Sequence, residues 1–249
     1  MGTAGSVRLL SGKLKETFVV GSGDSVLSCN LEKLIAAHKK SNAKVTIGLW
    51  QVSNPSEFGI VGMSKVQNGE LDGSLEEGFV VKFLEKPEPS MAFSDVINAG
   101  IYIIEPEVLE LIPEKEKYDF SKQLFPKLLE LEWPIYGKKI DGVWFDVGTP
   151  MELINAQHTL IRDRRNLPFK MPEGRVIGID GFEFSKSSSK AINHGSVLSN
   201  GSRVENDTVL QNSLIMNDSK IGNKCRIIDS VIGYNVKIDD NCVVENCVI

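Results

Sequence analysis

The feature that most restricts the fold is a spacing. Leu198, Val204 and Leu210 stand six residues apart, as do the members of the sets Ile215, Ile221, Ile227 and Ile232, Ile238, Val244. Each set begins 17 residues after the one before it, and Ile249 opens a fourth. Three rungs per turn, at six, six and five residues, describe a prism with three flat faces. One branched aliphatic per rung points to the axis, and each coil stacks its aliphatics on those of the next. An antiparallel meander would show alternation without a sustained period of this length. The pattern predicts a left-handed hexapeptide parallel β-helix over residues 191–249. Cys225 and Cys242 also stand 17 apart, so they stack on adjacent coils and read as small buried hydrophobes rather than a disulfide.

Ahead of this tail the period is different. Phe18–Gly21 reads as a short buried strand. Residues 30–43 read as a helix with Leu31, Leu34, Ile35 and His38 on one face. Residues 44–52, 79–84 and 96–104 read as strands. Residues 118–131 and 151–164 read as helices, the second opened by Thr149-Pro150, a cap residue and a first-turn residue. Strands alternating with helices predict a three-layer α/β domain over residues 1–165. Residues 166–190, with Pro168, Pro172 and the run Ser185-Lys186-Ser187-Ser188-Ser189, read as the connector.

Charge and composition remove several classes of function. The 249 residues carry a formal net charge of −5 and no long basic run, which argues against nucleic acid as a partner. No window approaches 18 consecutive apolar residues, so no membrane span is expected. Four cysteines without a secretory signal fit the reducing cytoplasm.

Four further stretches place chemistry beside strands. In VVGSGDSVLS an apolar run breaks through Gly21 and Gly23 and then offers Asp24. Two glycines there leave no side chain between a strand end and a ligand, although Gly and Asp are also common turn residues. FLEKPEPS puts Glu85 and Lys86 at a strand end stopped by two prolines; this is a mobile cation for phosphate beside an acceptor for sugar hydroxyls, or a surface pair. INAGIYII sets Asn98-Ala99-Gly100 before an apolar run, as a site or a turn would. VWFDVGTP ends another strand with Asp146, a metal carboxylate or the neighbour of a helix cap. Ligands of open α/β sheets bind beyond the carboxyl ends of strands, so one sheet edge is expected to collect Asp24, Lys86 and Asp146.

The order GTAG, Gly-Asp after a strand, EKP, NAGIY, WFDVGTP and a hexapeptide tail resembles the sugar-phosphate nucleotidyltransferase family, nearest to the mannose-1-phosphate guanylyltransferases. The resemblance runs over nearly the whole chain. It implies a Rossmann-like nucleotide-diphospho-sugar transferase domain that joins a sugar 1-phosphate to a nucleoside triphosphate and releases pyrophosphate. By the same resemblance Asp24 and Asp146 hold Mg²⁺ and Lys86 grips the sugar phosphate. Glu85 and Asn98 read sugar hydroxyls, Gly23 and Gly100 give backbone access, and Gly2, Thr3, Ala4 and Gly5 approach base and sugar. Two departures stand out. Ser22 replaces the family's usual Asn before Gly-Asp, which is mild because a hydroxyl also donates. The family's long Gly-rich triphosphate loop, with its Arg and Lys, has no counterpart among these 249 residues. The chain alone is therefore expected to release little pyrophosphate. The alternative is a non-catalytic, regulatory binder of sugar phosphate or sugar nucleotide. A hexapeptide acyltransferase is disfavoured, since only His194 lies near the coils and His38 and His158 sit in helical patterns. An open sheet edge at Phe18–Gly21 and stacked coils lead to the expectation of a homo-oligomer.

Overall fold

Six strands make one mixed sheet: β1 (Phe18–Gly21), β3 (Val45–Gln51), β4 (Gly59–Ser64), β5 (Glu77–Glu85), β6 (Val96–Ile104) and β7 (Ile135–Lys139), while β2 (Ser25–Ser28) pairs with β8 (Val143–Asp146) in a separate ladder. The computed structural model describes residues 1–167 and 169–249; Pro168, one of the connector prolines, lies outside the described residues. The chain divides into two compact units, Met1–Gly23 with Ser28–Trp144, and Asp24–Leu27 with Phe145–Ile249.

In the first unit the strand order is β1-β6-β3-β7-β5-β4, and a single Ile60–Ile97 pair also joins β4 to β6. Only β3 and β7 run parallel; the other pairs are antiparallel. Alternate residues of a strand face opposite sides. Val45, Ile47 and Leu49 accordingly enter a core with Ala4, Phe120, Phe125 and Leu128, bringing in α1 (Thr3–Arg8) and α3 (Phe125–Glu130). Thr46 faces the other way, and its hydroxyl lies 2.8 Å from Nδ1 of His38 on α2 (Leu31–Ser41). The sheet is thus covered on both faces, the three layers expected.

Helix α2 begins where Asn30 accepts the Lys33 N–H and ends at Asn42, whose φ of 51° caps the last turn. His38 is structural: it is buried, with Nε2 3.0 Å from Glu105 Oε1, and Glu105 accepts from Thr17 as well.

Strands β4 and β7 carry no clear alternation in the sequence. Their glycines fit close packing instead, since a Cβ on Gly137 would come within 2.7 Å of Leu49 Cδ1. Strand β1 corrects the expectation of a buried strand. It pairs with β6 alone at the sheet edge, the open edge expected, and Val19 is 45% exposed because alternate residues of the strand face opposite sides and one of those sides is open to solvent.

The second unit is built on the coils. The nine aliphatics from Leu198 to Val244 are all buried in one stack with Cys225, and Ile249 sits half exposed on the next rung, hydrogen-bonded to Val231 and Gly233. Three parallel sheets join equivalent residues of successive coils, as in Arg203–Lys220–Lys237 and Val209–Arg226–Val243. Coiling begins ahead of residue 191, because Phe182 and Glu183 already pair with Val197 and Leu198.

Two local devices hold the corners. Asn212, Asp229 and Asn246 adopt φ of 46°, 48° and 51°, a left-handed conformation that short polar side chains tolerate. A serine ladder crosses the coils, Ser196 Oγ accepting the Ser213 N–H, Ser213 Oγ the Ser230 N–H and Ser230 Oγ the Cys247 N–H. All four cysteines are free. One face of the prism bears the column Phe182, Val197, Leu214 and Val231, which α4 (Pro150–Arg162) covers with Ile154 and Ile161. His158 of the same helix meets the Gly195 carbonyl at 2.5 Å, so this histidine too is structural.

Candidate functional site

Within the first unit the structure brings Glu85, Lys86, Asn98 and Gly100 into one neighbourhood of connected backbone and side chains, and Gly23 adjoins it in sequence through Ser22. Glu85 ends β5. Lys86 follows with φ of 47°, a conformation costly for a residue with a Cβ, held by its N–H donating to the Phe58 carbonyl at 2.9 Å. The cleft around Lys86 has a volume of about 360 Å³ and is lined by Phe83, Glu85, Lys86, Ser121, Lys122 and Pro126.

Burial pushes the Glu85 carboxyl above the usual carboxylate range, Asp119 adds to this, and Lys86, Lys122 and the Ser121 hydroxyl pull against it. Gly59 makes room for this carboxylate, since a Cβ there would stand 2.7 Å from Glu85 Oε2.

The Asn98-Ala99-Gly100 stretch lies inside β6, not before it. Gly100 has φ of 75°, and the β3–β6 register shifts opposite it, between Ile47 and Leu49. This is a bulge of the kind that re-aims side chains beside sites. Asn98 Oδ1 accepts the Gly100 N–H at 2.9 Å, which closes the bulge. The carbonyls it exposes are used: Ala99 O accepts from Trp144 Nε1 at 2.9 Å and Gly100 O from the Ser22 N–H at 2.8 Å. The Gly21–Gly23 turn is thereby tied to Asn98. The Asn98 amide also donates to Tyr102 Oη at 2.9 Å and to Ser121 Oγ at 3.2 Å.

Gly2, Thr3, Ala4 and Gly5 sit behind this cleft. Ala4 and Gly5 are buried, and a Cβ on Gly2, at φ of 77°, would strike the Tyr118 carbonyl at 2.4 Å. Thr3 Oγ1 donates to Asp119 at 2.8 Å and accepts the Phe120 N–H at 3.1 Å. Asp119 in turn caps the helical turn Phe120–Leu124 through the N–H groups of Ser121 and Lys122. The four residues hold the turn that carries Ser121 and Lys122. Sequence reasoning missed those two residues and Asp119. The only signal was Asp119 standing two and three residues ahead of them, a helix-start pattern.

In the second unit Asp24 and Asp146 come together. The Val147 N–H donates to the Asp24 carbonyl at 3.1 Å, so the residue after Asp146 is bonded to Asp24 itself. Gly148 then turns the chain into α4, capped by Thr149 accepting the Glu152 N–H. The carboxylates of Asp146 and Glu152 each stand 3.7 Å from where a Gly148 Cβ would be; among the described residues no group of three or more His, Cys, Asp or Glu side chains is placed to hold a metal ion. Among the described residues no helix is long and apolar enough to cross a membrane.

The nucleotidyl transferase family model matches residues 1–163, and a GlmU-like, C-terminal hexapeptide model matches residues 180–249. The chain is 29% identical over 248 residues to a mannose-1-phosphate guanylyltransferase of Mycobacterium tuberculosis, covering 98% of this chain and 60% of that protein. It is 27% identical to mannose-1-phosphate guanylyltransferase 1 of Arabidopsis thaliana, over 100% of this chain and 67% of the relative. It is 35% identical over 135 residues to a UTP--glucose-1-phosphate uridylyltransferase of Synechocystis, covering 53% of this chain and 32% of that protein. The chain thus spans 60% of the length of the first of these relatives and a smaller share of the third. With a family model matched from residue 1 to 163, the chain belongs to the nucleotidyl transferase family.

Proposed function

We propose that this chain carries the sugar-phosphate half of a sugar-1-phosphate nucleotidyltransferase related to the mannose-1-phosphate guanylyltransferases. In the reaction an oxygen of the sugar phosphate attacks the α-phosphorus of a nucleoside triphosphate. The bond to the β-phosphate oxygen breaks, and pyrophosphate leaves with the electron pair. Glu85 beside the strained Lys86, in a cleft of about 360 Å³, is the observation that carries the reading. Lys86 suits the sugar phosphate, Lys122 adds a second cation, and Glu85 suits sugar hydroxyls. Asp24 and Asp146 fit Mg²⁺ and would hold it; when bound it neutralises phosphate charge. Asp24 and Asp146 also keep a negative, oxygen-lined turn at the head of α4 for that ion.

The 249 residues contain no G-x-G-[ST]-R segment, so little turnover is expected of this chain by itself. Loss of such a preorganised anion clamp is a large term, on the order of several kcal/mol. A cytoplasmic, self-associating protein completes the reading. The second reading, a non-catalytic regulatory binder, has the same ligand and is separated from the first by turnover.

The test is calorimetry of the purified chain with mannose 1-phosphate and Mg²⁺, alongside a pyrophosphate-release assay with GTP. The expected result is binding that Lys86→Met weakens about tenfold or more, as loss of a charge-assisted contact should, and no burst of pyrophosphate. Absence of binding to mannose 1-phosphate and glucose 1-phosphate alike would overturn the assignment. Robust turnover by the chain alone would overturn its inactive half.

A further inference from the structure

The Asn98 side chain has both amide hydrogens engaged inside the protein, one on Tyr102 Oη at 2.9 Å and one on Ser121 Oγ at 3.2 Å. Its Oδ1 already accepts the Gly100 N–H. An amide so committed has no donor left for a sugar hydroxyl without breaking one of these bonds. Ser121 is in a different position. Its Oγ accepts from Asn98, which leaves its single proton to be donated elsewhere, and Ser121 lines the same cleft as Glu85, within hydrogen-bonding reach of that carboxylate. The backbone of Ser121 is fixed independently, because its N–H donates to Asp119 Oδ1 at 3.0 Å.

We propose that Ser121 is a positioning residue for Glu85: Asn98 orients the Ser121 hydroxyl, the hydroxyl donates to the Glu85 carboxylate, and Asn98 reaches the ligand only through this relay. The ligand clause rests on the sugar-phosphate reading above; the relay itself does not. Charged groups facing Glu85 are Asp119 from the same turn as Ser121, Lys122 beside it, and Lys86 on the strand end, while Gly59 of β4 closes the remaining side without a charge. The like charge of Asp119 and the burial of Glu85 both favour the protonated acid. A donor aimed at the carboxylate favours the ionised form, in which Glu85 can accept two ligand hydroxyls. Asp119 is itself turned away to cap backbone N–H groups and to accept from Thr3. The packing of GTAG under this turn therefore serves Glu85 at one remove.

The experiment is a carbon-detected NMR titration of the Glu85 carboxyl in the full 249-residue chain, assigned by its loss in Glu85→Gln. Ser121→Ala should move the Glu85 midpoint upward, Asn98→Ala should move it upward by less, and Ser121→Thr, which keeps a hydroxyl, should hold it near the native value. A purely structural role for Ser121 would lower thermal stability and leave the Glu85 titration unmoved, and that result overturns the relay. In a second arm, mannose 1-phosphate affinity should fall about threefold or more in Ser121→Ala and survive in Ser121→Thr, as loss of one hydrogen bond to a charged group predicts. Equal affinity in native chain and Ser121→Ala would overturn the ligand clause. If the native chain does not bind mannose 1-phosphate, the functional reading fails, and the titration still decides the relay.

Discussion

The coils and the mixed sheet bury their cores by opposite rules. In the coils every buried aliphatic stands on a residue 17 positions away, and each rung repeats the one before. In the sheet unit, neighbours come from anywhere: Thr3 bonds Asp119 across 116 positions, and His38 meets Glu105 across 67. A repeat with nearest-neighbour contacts spreads its stability evenly along the axis. A convergent core concentrates it, and leaves places such as the Glu85 cleft where strain and uncompensated burial can be held.

The largest break in this contrast should come from a charge in the stack. Ile227 is fully buried between Leu210 and Val244. Ile227→Asp forces a carboxylate into an apolar axis, at a cost of several kcal/mol, and should unfold the coils on both sides of it. Loss of hydrogen-exchange protection from residue 197 onward would show this; retained protection there would mean the coils are less interdependent than their ladder implies.

A smaller effect tests the corners. Asn212 holds φ of 46° and its amide donates to Asp229 at 2.5 Å on the next coil. Asn212→Ala should cost about 1–2 kcal/mol in urea unfolding, and Asn212→Gly less, since glycine accepts the same backbone. Equal costs would assign the corner to the side-chain bond instead of the backbone.

The smallest effect has the opposite sign and belongs to the sheet unit. The folded state raises the Glu85 pKa, first by burial and then through Asp119. Folding therefore favours the protonated acid, and the cost of ionising Glu85 grows as pH rises from the unfolded pKa and is complete above the folded one. Glu85→Gln should raise the melting temperature at pH 7–8 by about 1–3 °C. The gain should shrink as pH falls through the folded pKa and vanish below the unfolded value, near 4.3. The same variant should lose sugar-phosphate binding. A drop in stability at neutral pH would show that Lys86 and Lys122 outweigh burial. A site that costs stability and a coil stack that supplies it would be the contrast in its sharpest form.

Much of the fold was legible before any coordinates. The stack from Leu198 to Val244, the capped start of α4 at Thr149 and strand β6 all stand where their patterns put them. Glu85, Lys86, Asp24 and Asp146 do lie at strand ends or just beyond them. Strands β4 and β7 were not legible, because glycines and lysines interrupt their alternation; the edge position of β1 was expected, but only from the family resemblance, because four residues of apolar sequence do not say how many neighbours they have.

By itself the sequence determined the coils, since a burial rule repeated every 17 residues is stated in the chain as often as it is used. It also determined which residue types end each strand. Only the tertiary structure decided that Asn98 closes a bulge, that GTAG packs under the turn after Tyr118, and that Ser121 and Lys122 enter the cleft of Glu85. The physical reason is range. Periodic burial is a local property that one dihedral repeat can satisfy, whereas a site of single side chains drawn from segments 23 and 116 positions apart depends on sheet register and loop closure. Neither is written in any short window of sequence.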